Sequence, residues 1–144
     1  MKKILLAVLS MGLLSTGLMA NDIAGTWVTI DDETGLAKSH VNIWVHNGVA
    51  YGKVTKLLNR KPGEDPDPVC NECKGESHGK KVVGLTILWG LKADGDEWTG
   101  GHIMDPKNGK VYPARLRPVD GGRKLEMRGY FGPFYRTQVW LRVE

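Results

Sequence analysis

From residue 26 onward the chain is built of short runs in which apolar and polar residues alternate with period two, cut apart by turn residues, with almost no helical periodicity. Val41, Ile43 and Val45 alternate with His40, Asn42 and Trp44, and His46-Asn47-Gly48 predicts a tight hairpin into a run over 49–58. Further runs cover 82–91, 97–104, 110–117, 124–131 and 134–143, which with 26–30 makes eight. The separators Asp94-Gly95-Asp96, Pro106-Lys107-Asn108-Gly109, Asp120-Gly121-Gly122 and Gly132-Pro133 all carry turn chemistry. Connections this short make sequence neighbours antiparallel neighbours. The expected fold is therefore all-β: a single eight-stranded antiparallel up-and-down barrel, whose closure removes exposed edges. A sandwich needs strands that cross between sheets, and these separators leave little chain for that.

Ahead of the strands, Lys2 and Lys3 precede an apolar run over 4–14 and a small-residue stretch ending at Ala20. Residues 1–20 read as a secretory signal, and the apolar run is too short for a comfortable membrane span. No cysteine near the cut offers a lipidation site, so a soluble periplasmic or secreted protein is expected. Residues 21–144 then form one domain by size. The formal charge is +4 with Lys2 and Lys3 included, and no block of Lys and Arg marks a nucleic-acid or lipid surface. Neither a nucleic-acid partner nor a membrane span is expected.

Alternation assigns an inward face. Val41, Ile43 and Val54, then Tyr112, Leu116, Met127 and Phe131, and finally Tyr135 and Val139 line the predicted barrel. The 82–91 run is apolar on both faces and pattern alone does not orient it; its inward members are read as Leu85, Ile87 and Trp89. His40, Lys53, Arg115, Arg117, Glu126, Arg128, Arg136 and Gln138 fall on the opposite face, where water spares them the desolvation cost of a small lumen. Such a lumen lacks a nucleophile, an acid/base pair or a metal cluster, so the chain reads as a non-catalytic binder or carrier of a small apolar or amphipathic ligand. The competing reading is a filled barrel serving as scaffold for an interaction module.

The separator over 59–81 differs from the others: it is long, polar, and holds Pro62, Pro66, Pro68 and both cysteines. Such a loop is a lid, a binding loop or a mobile segment. In an oxidising compartment Cys70 and Cys73 most often join as a disulfide. Two thiolates with His78 would make a metal half-site one ligand short of closure, and Lys74 stands where haem attachment needs histidine. His40, His46, His78 and His102 share no short spacing, so no metal or cofactor is expected. Trp44 and Trp140 fall on the polar face, the latter flanked by Arg136, Gln138 and Arg142, which predicts an exposed interaction surface suited to a homodimer.

Taken together, Gly25-Thr26-Trp27, Tyr51-Gly52-Lys53, Val69-Cys70-Asn71-Glu72-Cys73-Lys74-Gly75, Gly84-Leu85-Thr86-Ile87-Leu88-Trp89-Gly90-Leu91, Asp105-Pro106-Lys107-Asn108-Gly109-Lys110 and the ending Arg128-Gly129-Tyr130-Phe131-Gly132-Pro133-Phe134-Tyr135-Arg136-Thr137-Gln138 resemble an exported bacterial family, domain of unknown function 2147. The resemblance implies a lipocalin-like barrel with no assigned reaction. The first triplet is also similar to the Gly-x-Trp motif of lipocalins and fatty-acid-binding proteins, whose tryptophan packs at the closed end against a late arginine. Carried over, Trp27 takes that place as a barrel-end plug, with Arg136 and Arg142 as rival partners. The chain departs from those proteins in lacking a clear C-terminal helix, and its long loop follows the third run instead of the first.

Overall fold

A computed structural model describes residues 22–143; the signal read over 1–20 lies outside the described residues. Eight strands follow in chain order: β1 Gly25–Ile30, β2 Ala37–His46, β3 Val49–Leu57, β4 Thr86–Asp94, β5 Glu97–Met104, β6 Val111–Val119, β7 Lys124–Phe131 and β8 Phe134–Arg142. Each pairs antiparallel with its sequence neighbour, and β1 pairs with β8 to close the barrel. The β2–β3 hairpin turns through Asn47 and Gly48, both with positive φ, the geometry that suits the right-handed twist of the strands it joins. The fourth run is displaced: β4 begins at Thr86 and continues to the Asp94-Gly95-Asp96 turn, whereas 82–91 was the expectation. Before Thr86 the chain meets β3 irregularly, Gly84 N–H donating to Val54 O (2.6 Å) and Val54 N–H to Leu85 O (3.0 Å).

Two of the predicted inward faces are reversed. The two-residue turn Gly132-Pro133 sets Phe131 opposite Phe134, and the ladder then places Met127 opposite Gln138 and Leu125 opposite Trp140. Leu125 and Met127 are buried inside the barrel, so their partners Trp140 and Gln138 point inward as well, and so does Arg136, which shares their parity and stands opposite Gly129. Tyr135 (58% exposed) and Val139 (43% exposed) therefore face water, not the lumen, and Trp140 (1% exposed) is core, not a docking surface. In β4 a bulge intervenes, with Gly52 opposite Leu88 but Lys53 opposite Thr86. Ile87 and Leu88 are both buried as a result, and Trp89 turns outward to stack on His102, ring centroids 6.0 Å apart.

The topology divides the barrel into two ends. At one end lie the β2–β3 and β4–β5 hairpins, the β6–β7 turn, and the segment entering β1. At the other lie the β1–β2 connection, the long 58–85 loop, the β5–β6 turn and the β7–β8 turn. On the outer wall Glu126 pairs with Arg117 (3.1 Å) and approaches Arg115, which also pairs with Glu97. The Glu126 carboxylate holds the Arg117 guanidinium above its ordinary pKa by hydrogen bonding and charge.

Candidate functional site

At the first end Trp27 is fully buried, and its Nε1–H donates to Ile23 O at 2.9 Å. The Arg142 guanidinium lies 4.2 Å from the Trp27 ring centroid. Its Nη1, Nη2 and Nε donate to Ala24 O (2.8 Å), Asp22 O (2.7 Å) and Gly122 O (2.8 Å). One side chain thus ties the entry to β1, the β6–β7 turn and the end of β8 across the floor. Gly25 has φ +126°, which L side chains rarely adopt, and a Cβ there would stand 3.0 Å from Arg142 Nη1. The glycine and the tryptophan of Gly-x-Trp are both explained by that arginine. Arg136, the rival partner, lies six residues back along β8, about 20 Å at strand rise, and reaches the opposite end.

There the interior is hollow. A cavity of about 380 Å³ opens at the second end, within the size range of small-molecule sites. Val54, Ile87, Ile103, Met127 and Phe131 supply apolar wall, with Tyr112 and Trp140 adding aromatic surface. Polarity is concentrated in two places. Thr29 Oγ1 and Ser39 Oγ share a buried hydrogen bond of 2.6 Å on β1 and β2. On β8, Arg136 Nη2 (2.7 Å) and Gln138 Nε2 (2.9 Å) both reach Asp32 Oδ2 of the β1–β2 connection, while Trp140 Nε1–H donates to Gln138 Oε1 (3.2 Å). Lys38 also lines the mouth. The arrangement is an apolar chamber with a polar seam running down one strand.

The long loop packs at the rim of the same end. Cys70 and Cys73 form a disulfide and are both buried. Their sulfurs press on the β5–β6 region, Cys70 Sγ 3.3 Å from Pro106 O and Cys73 Sγ 3.6 Å from Met104 Sδ. Gly109 is required by that contact: any Cβ there would collide with the Glu72 carbonyl. With both thiols oxidised, the metal half-site with His78 loses its thiolate ligands, and the His78 ring nitrogen Nδ1 lies 3.0 Å from Cys73 O. The loop sends Val82 into the cavity wall and is clipped across itself by Val69 pairing with Lys81. Lys81 also pairs with Asp67 (2.8 Å), which raises its pKa above the ordinary lysine value.

Of the predicted lining residues, Val54, Ile87, Tyr112, Met127 and Phe131 border the cavity. Val41, Ile43, Leu85 and Leu116 are buried without bordering it, and Trp89, Tyr135 and Val139 lie outside. The expected surface of Trp44, Arg136 and Trp140 does not assemble. Trp44 stacks on Tyr51 (5.6 Å) on the outer wall with Lys53 over its ring, Trp140 is inside, and Arg136 is at the mouth. The seam residues Arg136, Gln138 and Asp32 escaped the alternation because a polar inward face has no apolar period. For Arg136 and Gln138 the two-residue β7–β8 turn is the signal, since it fixes their register against Gly129 and Met127.

A closed eight-stranded antiparallel barrel, stoppered at one end and hollow at the other, is a lipocalin-like fold. The chain belongs to a family described as uncharacterized proteins conserved in bacteria, DUF2147, whose model matches residues 25–142. Among solved structures it is similar to protein HP1028 from the human pathogen Helicobacter pylori, described as belonging to the lipocalin family. The TM-score is 0.71 at 20% identity, covering 85% of this chain and 84% of that one. No curated protein matches.

Proposed function

We propose that this protein is an exported, non-catalytic carrier that holds one small amphipathic molecule in the cavity at the open end. The observation that carries the reading is the cavity itself, about 380 Å³ with apolar walls, a polar seam on β8 at the mouth and one hydroxyl pair on β1 and β2 already bonded to itself. An apolar lining without polar relief suits a hydrocarbon, and a polar lining suits a solute; a chamber divided this way matches a guest with two unlike ends. The Cys70–Cys73 disulfide supports an oxidising compartment, as does the signal-like leader over 1–20.

Displacement of a neutral fluorescent probe, N-phenyl-1-naphthylamine, tests the reading. The wild-type protein binds the probe with one saturable site, and Ile103→Trp, which fills the chamber from β5, abolishes binding while the barrel still unfolds cooperatively. Equal probe binding by wild type and Ile103→Trp would sink the proposal.

A further inference from the structure

We infer that the guest carries a carboxylate head, seated at the mouth between Arg136 and Gln138 at the position that Asp32 Oδ2 takes, with its apolar end directed toward Trp140. The inference rests on the carrier reading and adds the chemistry of the head group. Two donors on one inward strand face converge on a single oxygen, Arg136 Nη2 at 2.7 Å and Gln138 Nε2 at 2.9 Å. The Gln138 amide cannot turn around at no cost, because its Oε1 already accepts from Trp140 Nε1–H (3.2 Å), which leaves the NH2 group aimed at the mouth. The seat is therefore built to receive an acceptor oxygen, and an arginine in it favours an anionic one.

The chain's own carboxylate is what identifies the anion as carboxylate-sized. Asp32 belongs to the exposed β1–β2 connection, and its pairing with Arg136 joins side chains that are 35% and 65% exposed. Pairs of this kind contribute little to stability, so an incoming carboxylate exchanges for Asp32 with small loss elsewhere. Lys38 adds a second cation to the mouth. Asp105, the acidic residue of the lining, has its Oδ1 occupied by Lys107 N–H (2.9 Å) within its own turn. Below the seat β7 offers Met127 and Gly129 opposite Gln138 and Arg136, an apolar path down to the indole of Trp140.

The test compares decanoate with 1-decanol, equal in chain and different in head, by displacement of N-phenyl-1-naphthylamine at neutral pH. Wild type is expected to bind the acid about tenfold more tightly than the alcohol, the scale of one charge-assisted hydrogen bond. Arg136→Leu brings that ratio close to one, and Arg136→Lys restores part of it. Asp32→Asn removes the internal competitor and raises the ratio severalfold. A ratio near one in wild type that Arg136→Leu leaves unmoved overturns the head-group inference, with the carrier reading intact. Failure of both molecules to displace a bound probe overturns this inference as well, and failure of the probe itself to bind wild type overturns the carrier reading beneath it.

Discussion

Arg136 and Arg142 sit on the same inward face of the same strand, six residues apart, and the barrel uses them in opposite ways. Arg142 gives its donors to three backbone carbonyls and its flat face to Trp27. Those partners belong to the fold and hold the side chain in place. Arg136 gives its donor to one side chain on an exposed connection. What an inward arginine does is decided by whether its partner can leave, and on this criterion one end of the barrel is a stopper and the other a seat.

The sharpest break in that contrast comes from the stopper. Trp27→Ala removes the largest fully buried side chain of the closed end and is expected to cost about 3–5 kcal/mol in urea unfolding, the scale of a large-to-small core substitution. Arg142→Met follows at about 2–4 kcal/mol, because three carbonyls lose a charged donor and the indole loses its cation. Arg136→Met, the same change at the open end, is expected to move stability by less than about 1 kcal/mol. Similar losses from the two arginine variants would erase the distinction.

The open end has its own fastening in the disulfide. Joining residues three apart removes little denatured-chain entropy, so Cys70→Ala with Cys73→Ala is expected to lower stability by about 2 kcal/mol. The loss should be local. Amide exchange is expected to quicken around Val69, Lys81 and the Asp105–Gly109 turn that the loop packs against, and to stay slow in β1 near Trp27. Uniform quickening around the barrel would mean that the loop supports the whole fold instead of the rim.

The barrel was legible because its evidence is local. Hairpin residues such as Asn47-Gly48 and alternations such as Val41, Ile43 and Val45 each specify one pairing, and seven such neighbour pairings leave closure of β1 on β8 as the economical outcome. The stopper was half legible: Gly25-x-Trp27 carries its own conformational signature, but choosing between two arginines takes the position of each along β8. The seat was illegible to hydrophobic alternation for a physical reason. The β7–β8 register turns Arg136 and Gln138 inward, their partner Asp32 lies about a hundred positions away, and a polar lining breaks the rule that identifies a lining at all. Trp89 misled by a different route, since a bulge at Ile87 and Leu88 reverses parity without leaving a mark in composition.

The smallest expected effect concerns the turn that carries Asp32. Its neighbour Asp31 accepts backbone N–H bonds from Thr34 (3.0 Å) and Glu33 (2.8 Å), and these bonds, the one from Thr34 foremost, hold the Asp31 carboxyl below the ordinary aspartate range. A carboxyl whose folded pKa lies below its unfolded value contributes stability that is fully present above the unfolded value and is lost as pH falls through the folded one. The β1–β2 connection should therefore hold through ordinary mild acidity and loosen only at lower pH, when protonated Asp31 no longer accepts both amides. Amide shifts of Glu33 and Thr34 followed against pH are expected to titrate with a midpoint below 3.8, and Asp31→Asn should flatten both curves. A midpoint at or above that value would mean that the turn is not held by Asp31. The consequence reaches the mouth: Asp32 is placed against Arg136 and Gln138 by this same turn, so a looser turn leaves the seat's two donors without their internal carboxylate.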